Sequence, residues 1–300
     1  MIQQIKTISE FHQFRGLPKP EHPLVSLINF ESIRHHGEEE PKKMVNQFYS
    51  IALKRNFNGK VKYGQQEYDF DSGIMVFIAP GQVFSIEAEG EIRHSGWLLL
   101  FHPDLLWGKP LAKKIGQYEF FGYSVNEALH LSEKEEGAIT AVMGQISQEY
   151  QANMDAFSQD LIVTQLELLL TYSQRFYHRQ FLTRKMANHG VLDRLAAILN
   201  EYFESGQLEE KGLPTVAFVS QALNISPGYL GSLLKVLTGQ RTQQHIHHHL
   251  IEKAKEKLST SDLSVSEIAY QLGFEHPQSF SKLFKAKTNQ SPQDFRRSFN

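Results

Sequence analysis

The 300-residue sequence contains no cysteine. That single absence excludes disulfides, thiolate zinc sites, iron–sulfur clusters and thiol nucleophiles, and it fits a cytoplasmic address. Long apolar runs are also missing. No stretch approaches the ~18 residues of a membrane span, so no membrane partner is expected. The start, Met1 to Glu10, lacks an apolar core followed by a small-residue cleavage site, which argues against secretion. Excess charge is lacking too: the formal net charge of −2 excludes a chain that coats nucleic acid uniformly. What remains is an ordinary globular composition, 41% hydrophobic and 21% charged. The length is about twice that of a typical domain, so two domains are expected.

The charge is unevenly placed. From Pro214 to Asn300 there are 10 Lys and Arg against 6 Asp and Glu, a balance of +4 on an otherwise acidic chain. A basic tail on an acidic body suggests a polyanion partner for the tail.

The first ~100 residues read as short strands with turn punctuation. Leu24–Phe30, Val45–Leu53, Lys60–Tyr63, Ile74–Ile78 and His94–Phe101 are rich in β-branched, aromatic or leucine residues. Asn58-Gly59, Asp71-Ser-Gly73 and Ala79-Pro-Gly81 separate them as turn signals. Many short strands at this spacing favour a sandwich or small barrel. After Ser132 the pattern becomes helical. Ser132-Glu-Lys-Glu135 forms a capping box for a helix reaching about Asn153. A second helix, Ser158 to about Phe181, is apolar almost all round and must be covered on two sides. It is either a central core helix or one that also pairs with a second subunit, with Leu166 and Leu169 among the pairing residues. Arg184–Gly190 reads as a linker, and a new helix begins at Val191 and stops near Gly206.

The tail carries an internal repeat. Val219–Ser226 aligns with Ile268–Glu275 at an offset of 49, and Pro227–Gln240 with Pro277–Gln290 at an offset of 50. The slip of one residue falls in the turn, where insertions are cheapest. Each copy reads as helix, tight turn, helix, with Ser226-Pro227 and His276-Pro277 opening the second helices. Leu230, Leu233, Leu234 and Leu237 face inward in one copy; Phe280, Leu283 and Phe284 do so in the other. The outward faces are left with Gly228, Gly231, Ser232 and Lys235, against Gln278, Ser279, Lys282 and Lys285. This is a helix-turn-helix pattern, whose second helix enters the major groove of double-stranded DNA. Gln can bond adenine bidentately, and Lys can bond guanine or phosphate. The helix joining the copies, about Thr242 to Leu258, would be ~25 Å long. That is about the length needed to set two such helices on successive major grooves.

Ile268 to Lys285, followed by Asn289-Gln-Ser-Pro292 and Phe295-Arg296, resembles the signature of the AraC/XylS family of bacterial transcription regulators. The resemblance covers about Val191–Asn300. Upstream, the layout is similar to the sensor domain many members carry: a cupin-like β-barrel followed by dimerising helices. The resemblance thus implies an α+β two-domain chain. Residues 1–185 would be the cupin-like sensor and dimerisation domain, and 189–300 an all-α DNA-binding domain with two helix-turn-helix motifs. It further implies a sequence-specific, non-enzymatic regulator acting as a homodimer on promoter half-sites. A small-molecule effector and RNA polymerase would be additional partners, with no cofactor. The first copy departs from the family pattern, with Ser220 for the usual Ala, Asn224 for Gly, and Gly228, Gly231 and Ser232 where long polar readers are common. Tyr229, Ser232 and Lys235 are therefore expected to serve phosphate or shape recognition, with Arg241 as a further phosphate contact. Specificity should rest on Gln278, Ser279 and Lys282, flanked by His276 and Lys285.

Other chemistries are less well supported. In His245-Ile-His-His-His249 two histidines lie one helical turn apart, but the Glu of a zinc-protease helix is absent. His35-His36 has no partner motif. The alternative of a metal-dependent cupin enzyme fused to a helical domain needs three ligands on the barrel. Ala79-Pro-Gly-Gln-Val-Phe84 supplies the turn without a histidine, so no metal is expected. No residue is singled out for effector binding.

Overall fold

The computed structural model describes residues 2–33, 43–55, 73–84, 95–123, 127–152, 155–183 and 185–298. Lys60–Tyr63, His35-His36 and the turn at Asn58-Gly59 lie outside them. The chain divides into two compact units, Met1–Thr183 and Arg184–Asn300.

In the first unit, β1 (Ile2–Ile5), β3 (Lys43–Asn46) and β6 (Val83–Phe84) form one sheet in the order β1-β3-β6. A second sheet is built from β2 (Val25–Asn29), β4 (Tyr49–Arg55), β5 (Ile74–Ile78), β7 (Ser95–Phe101) and β8 (Leu129–His130), in the order β2-β7-β4-β5-β8. Among the described residues the strands form these two open sheets, and no closed barrel is described. The single strand expected over Val45–Leu53 is also two strands in different sheets. The Gln47 amide donates to the Ile5 carbonyl at 2.9 Å, and the fully buried Phe48 plugs the crossing. One face of the larger sheet joins Ile28, Ala52, Leu98 and Leu100 to Ile5, Met44 and Phe84 of the smaller sheet and to Ile8 and Phe11 of α1 (Ile8–Phe14). On the other face Tyr49 stacks on Phe101 at 4.9 Å, and Phe77 meets Phe120 at 4.5 Å and Tyr177 at 6.1 Å. The short α2 (Leu111–Lys114) lies just before Phe120 in the chain.

Two long helices finish the unit. In α3 (Glu133–Gln151) the Ser132 capping box forms as its sequence suggests, with Ser132 N–H donating to Glu135 Oε2 at 2.9 Å. The same carboxylate accepts from Arg179 Nη2 at 2.6 Å, which ties the start of α3 to α4 (Ser158–Thr183). Leu166 and Leu169 of α4 are fully buried within the protomer and are not available for pairing. The exposed apolar side chains are Leu161 (48%), Leu168 (41%) and Leu182 (40%), with Phe157 (70%) just before the helix.

The second unit is all helical: α5 (Lys185–Glu204), α6 (Gln207–Lys211), α7 (Val216–Leu223), α8 (Pro227–Thr238), α9 (Thr242–Thr260), α10 (Val265–Gln271), α11 (Pro277–Thr288) and α12 (Pro292–Arg297). The stretch expected as a linker, 184–190, is thus helical from Lys185 onward. Gly190 sits inside α5, its carbonyl accepting from Arg194 Nε at 3.2 Å. The α5 face formed by Val191, Leu195, Leu199 and Tyr202 is buried.

Candidate nucleic-acid interface

The two repeat copies fold alike down to single hydrogen bonds. In α8 the Thr238 hydroxyl donates to the Leu234 carbonyl at 2.8 Å and accepts from Gln240 N–H at 3.2 Å. In α11 Thr288 does the same with Phe284 at 2.8 Å and Gln290 at 3.3 Å. Both helices end on a left-handed residue, Gly239 (φ 75°) and Asn289 (φ 62°). Both open with proline in the first turn, where no N–H is needed. Ser226 caps α8 by accepting from Tyr229 N–H at 3.3 Å, whereas His276 gives α11 no side-chain cap.

The inward faces are buried as their spacing suggests. Leu230, Leu233 and Leu234 are fully buried in α8, as are Phe280 and Phe284 in α11. Phe280 lies 5.8 Å from Phe284, which meets Phe295 of α12 edge-on at 5.5 Å. Leu237 and Leu283 are only part-buried, at the rims of this packing.

Outward positions separate into two kinds. His276, Gln278, Ser279, Lys282 and Lys285 are all exposed on α11 and its cap, and the helix itself carries no acidic residue. On α8 and its exit, Lys235 and Arg241 are exposed, while Tyr229 and Ser232 are part-buried. Gly231, read from the sequence as outward, has a buried backbone; a Cβ added there would still meet nothing within 4 Å, so the position faces open space. The first copy therefore offers a smooth, close-approach surface, and the second a polar, basic one.

Helix α9 separates the copies with 19 residues, about 28 Å at 1.5 Å per residue. Its Ile246 and Leu250 are buried, while His245, His247 and His249 are part-buried and His248 is exposed. His245 Nε2 stands 2.9 Å from the Thr238 hydroxyl at the end of α8. Burial lowers the pKa of His245, His247 and His249. His248 adds to this for His245 and His249, and Lys287 of α11 adds to it for His247. The neighbourhood of His247 and Lys287 was not legible in the sequence; the histidine run was the only signal there. Among the described residues no three His, Cys, Asp or Glu are grouped to hold a metal ion. At Ala79-Pro-Gly81 the chain turns at Gly81 (φ 77°), with Ala79 N–H donating to Gln82 Oε1 at 3.1 Å. None of the helices described is long and apolar enough to cross a membrane.

Comparison with known proteins places this geometry. The family described as "Helix-turn-helix domain" matches residues 219–298. The HTH-type transcriptional regulator YijO of Escherichia coli K12 is 35% identical over 82 residues, 27% of this chain and 29% of YijO. The HTH-type transcriptional activator RhaS of Salmonella schwarzengrund is 35% identical over 109 residues, 36% of this chain and 37% of RhaS. The C-terminal domain of the response regulator yesN from Fusobacterium nucleatum is similar to 36% of this chain over 98% of its own length, at 30% identity and a TM-score of 0.31. The chain spans only about a third of the length of the two curated relatives named.

Proposed function

We propose that the whole chain is a cytoplasmic, sequence-specific regulator of transcription of the AraC/XylS type, a reading supported by the helix-turn-helix match over residues 219–298 and the similarity to RhaS. It acts as a homodimer on promoter half-sites. The observation that carries this reading is the pair of matched second helices, neither of which contains an acidic residue, set apart by α9. In this reading Gln278, Ser279 and Lys282 of α11 contact base edges, with His276 and Lys285 beside them. Tyr229, Ser232, Lys235 and Arg241 hold phosphates and sense groove shape.

The β-rich first unit is the sensor. A small molecule bound there, in a cupin-like arrangement of the two sheets, alters how the two DNA-binding units of a dimer meet their half-sites, and RNA polymerase is the downstream partner. The dimer surface assigned to it is the exposed set Leu161, Leu168 and Leu182, spaced seven and then fourteen residues apart along α4, with Phe157 at its head. Catalysis is not part of this reading.

Selection of bound duplexes from a randomised DNA library tests the proposal. The expected result is a consensus with two contacted segments about one helical turn (~34 Å) apart per unit. Recovery of no consensus at physiological salt would overturn it.

A further inference from the structure

The two copies of the repeat differ at one equivalent turn position. Asn224 and Gly273 both adopt left-handed backbone, at φ 57° and 77°. An asparagine tolerates that conformation, and Asn224 is exposed. At Gly273 conformation alone does not explain the residue. A Cβ added there would stand 2.6 Å from the Leu208 carbonyl oxygen and 2.9 Å from Gly212 Cα. The end of α6 therefore lies backbone to backbone on the second turn. No side chain fits between them.

The α6 segment is itself held. Gly212 has φ 72° and ψ −161°, a region essentially restricted to glycine. Its carbonyl accepts a hydrogen bond from the Tyr202 hydroxyl of α5 at 3.0 Å. The Tyr202 ring packs on Phe218 of α7 at 4.9 Å, and Leu208 is buried. A chain of contacts thus runs from α5, through the Tyr202 hydroxyl and Gly212, to the turn that aims α11.

We propose that Tyr202 and Gly212 are positioning residues for recognition by the second reading helix. Together they make α6 the seat of the Gly273 turn and fix the angle at which α11 presents Gln278, Ser279 and Lys282. The inference rests on the reading of α11 as a DNA-contacting helix. Hydrogen bonds to base edges weaken steeply when donor and acceptor are misaligned, so a tilt at the turn costs discrimination at the bases α11 contacts. It leaves those under α8 alone.

The test uses the full-length protein and duplexes selected from a randomised library by the wild type. Gly273→Asn introduces the residue that the first copy accepts in the same backbone conformation, so the added contact with α6 is what distinguishes the two sites. Tyr202→Phe keeps the ring and removes only the hydroxyl. For folded variants, base preference in the segment contacted by α11 should flatten, by about 3- to 10-fold for Tyr202→Phe, the loss expected of one neutral hydrogen bond. Preference in the segment under α8 should persist. Unchanged preference, or equal loss in both segments, overturns the inference. If Gly273→Asn fails to fold, Tyr202→Phe decides alone. Gln278→Ala and Lys282→Ala run in parallel: if they leave preference intact, the assignment of α11 as a reader has failed instead.

Discussion

Replacing Leu168 separates dimer formation from folding. The side chain is 41% exposed, whereas Leu169 beside it is fully buried. Burying a whole leucine is worth about 1.5–3 kcal/mol, so covering the remaining 41% yields about 0.6–1.2 kcal/mol per protomer. A two-fold interface counts each residue twice, which gives about 1.2–2.4 kcal/mol for Leu168. The same arithmetic over Leu161, Leu168 and Leu182, at 48, 41 and 40%, gives about 4–8 kcal/mol per dimer. A micromolar dissociation constant corresponds to about 8 kcal/mol net of the freedom lost on association, so this row supplies a part of a stable dimer and further contacts the rest. Leu168→Ala should weaken the dimer by about 1–2 kcal/mol, roughly 5- to 30-fold, and Leu168→Glu should abolish it at micromolar concentration. Each should cost the monomer no more than about 1–2 kcal/mol, the worth of the part of the side chain that is already buried. Leu169→Ala, in contrast, should cost about 2–5 kcal/mol of folding stability. Sedimentation over a concentration series, paired with thermal melts, reads both quantities. A wild-type chain that stays monomeric at tens of micromolar, or a Leu168→Glu variant that dimerises normally, refutes the reasoning.

Three further outcomes are expected. DNA affinity should fall steeply with salt: if Lys235, Arg241, Lys282, Lys285 and Lys287 all displace counterions, the log–log slope should be about −4 to −5, and a flat titration would contradict phosphate contact. Gln278→Ala and Lys282→Ala should each cost about 1–3 kcal/mol of specific binding and relax base preference, with Ser232→Ala costing much less; the reverse ranking would make α8 the main reader. For His245, His247 and His249, burial lowers the folded-state pKa below the ordinary 6.5, so the unfolded chain takes up protons first as pH drops. Their contribution to stability is full above that value and lost as pH falls below it. Melts between pH 7 and 5 should show this decline, made shallower by replacing all three with Asn; an identical slope in the variant would show that other groups carry it.

The helix-turn-helix copies were legible in the sequence because local rules and packing agree there. Leucine and phenylalanine spacing, N1 prolines and left-handed turn residues each point to the same structure. Elsewhere tertiary contacts overrode local pattern. Val45–Leu53 reads as one strand, since nothing in its composition marks the crossing at Gln47 and Phe48, which is set by pairing with Ile5 and by burial. The stretch Arg184–Gly190 reads as a linker, yet a single glycine costs only about 1 kcal/mol within a helix, and α5 runs through Gly190. The apolar circumference of α4 indicated two covered sides but not which leucines belong to which. Only their complete burial in the folded unit assigns Leu166 and Leu169 to the interior. The contact between Gly212 and Gly273 joins residues 61 apart, and no local pattern announces it.

The carboxylate of Glu135 belongs to two structures at once. It completes the cap of α3 through Ser132 N–H, and it holds Arg179, whose guanidinium also donates to the His130 carbonyl at 2.8 Å. The first turn of a helix is ordinarily where fraying starts, because its amides have no partner within the helix. Here that turn cannot open without releasing α4 and the edge strand β8 as well. The start of α3 is thereby tied to the sheet edge, and its amides should exchange with solvent more slowly than those of an untethered helix end.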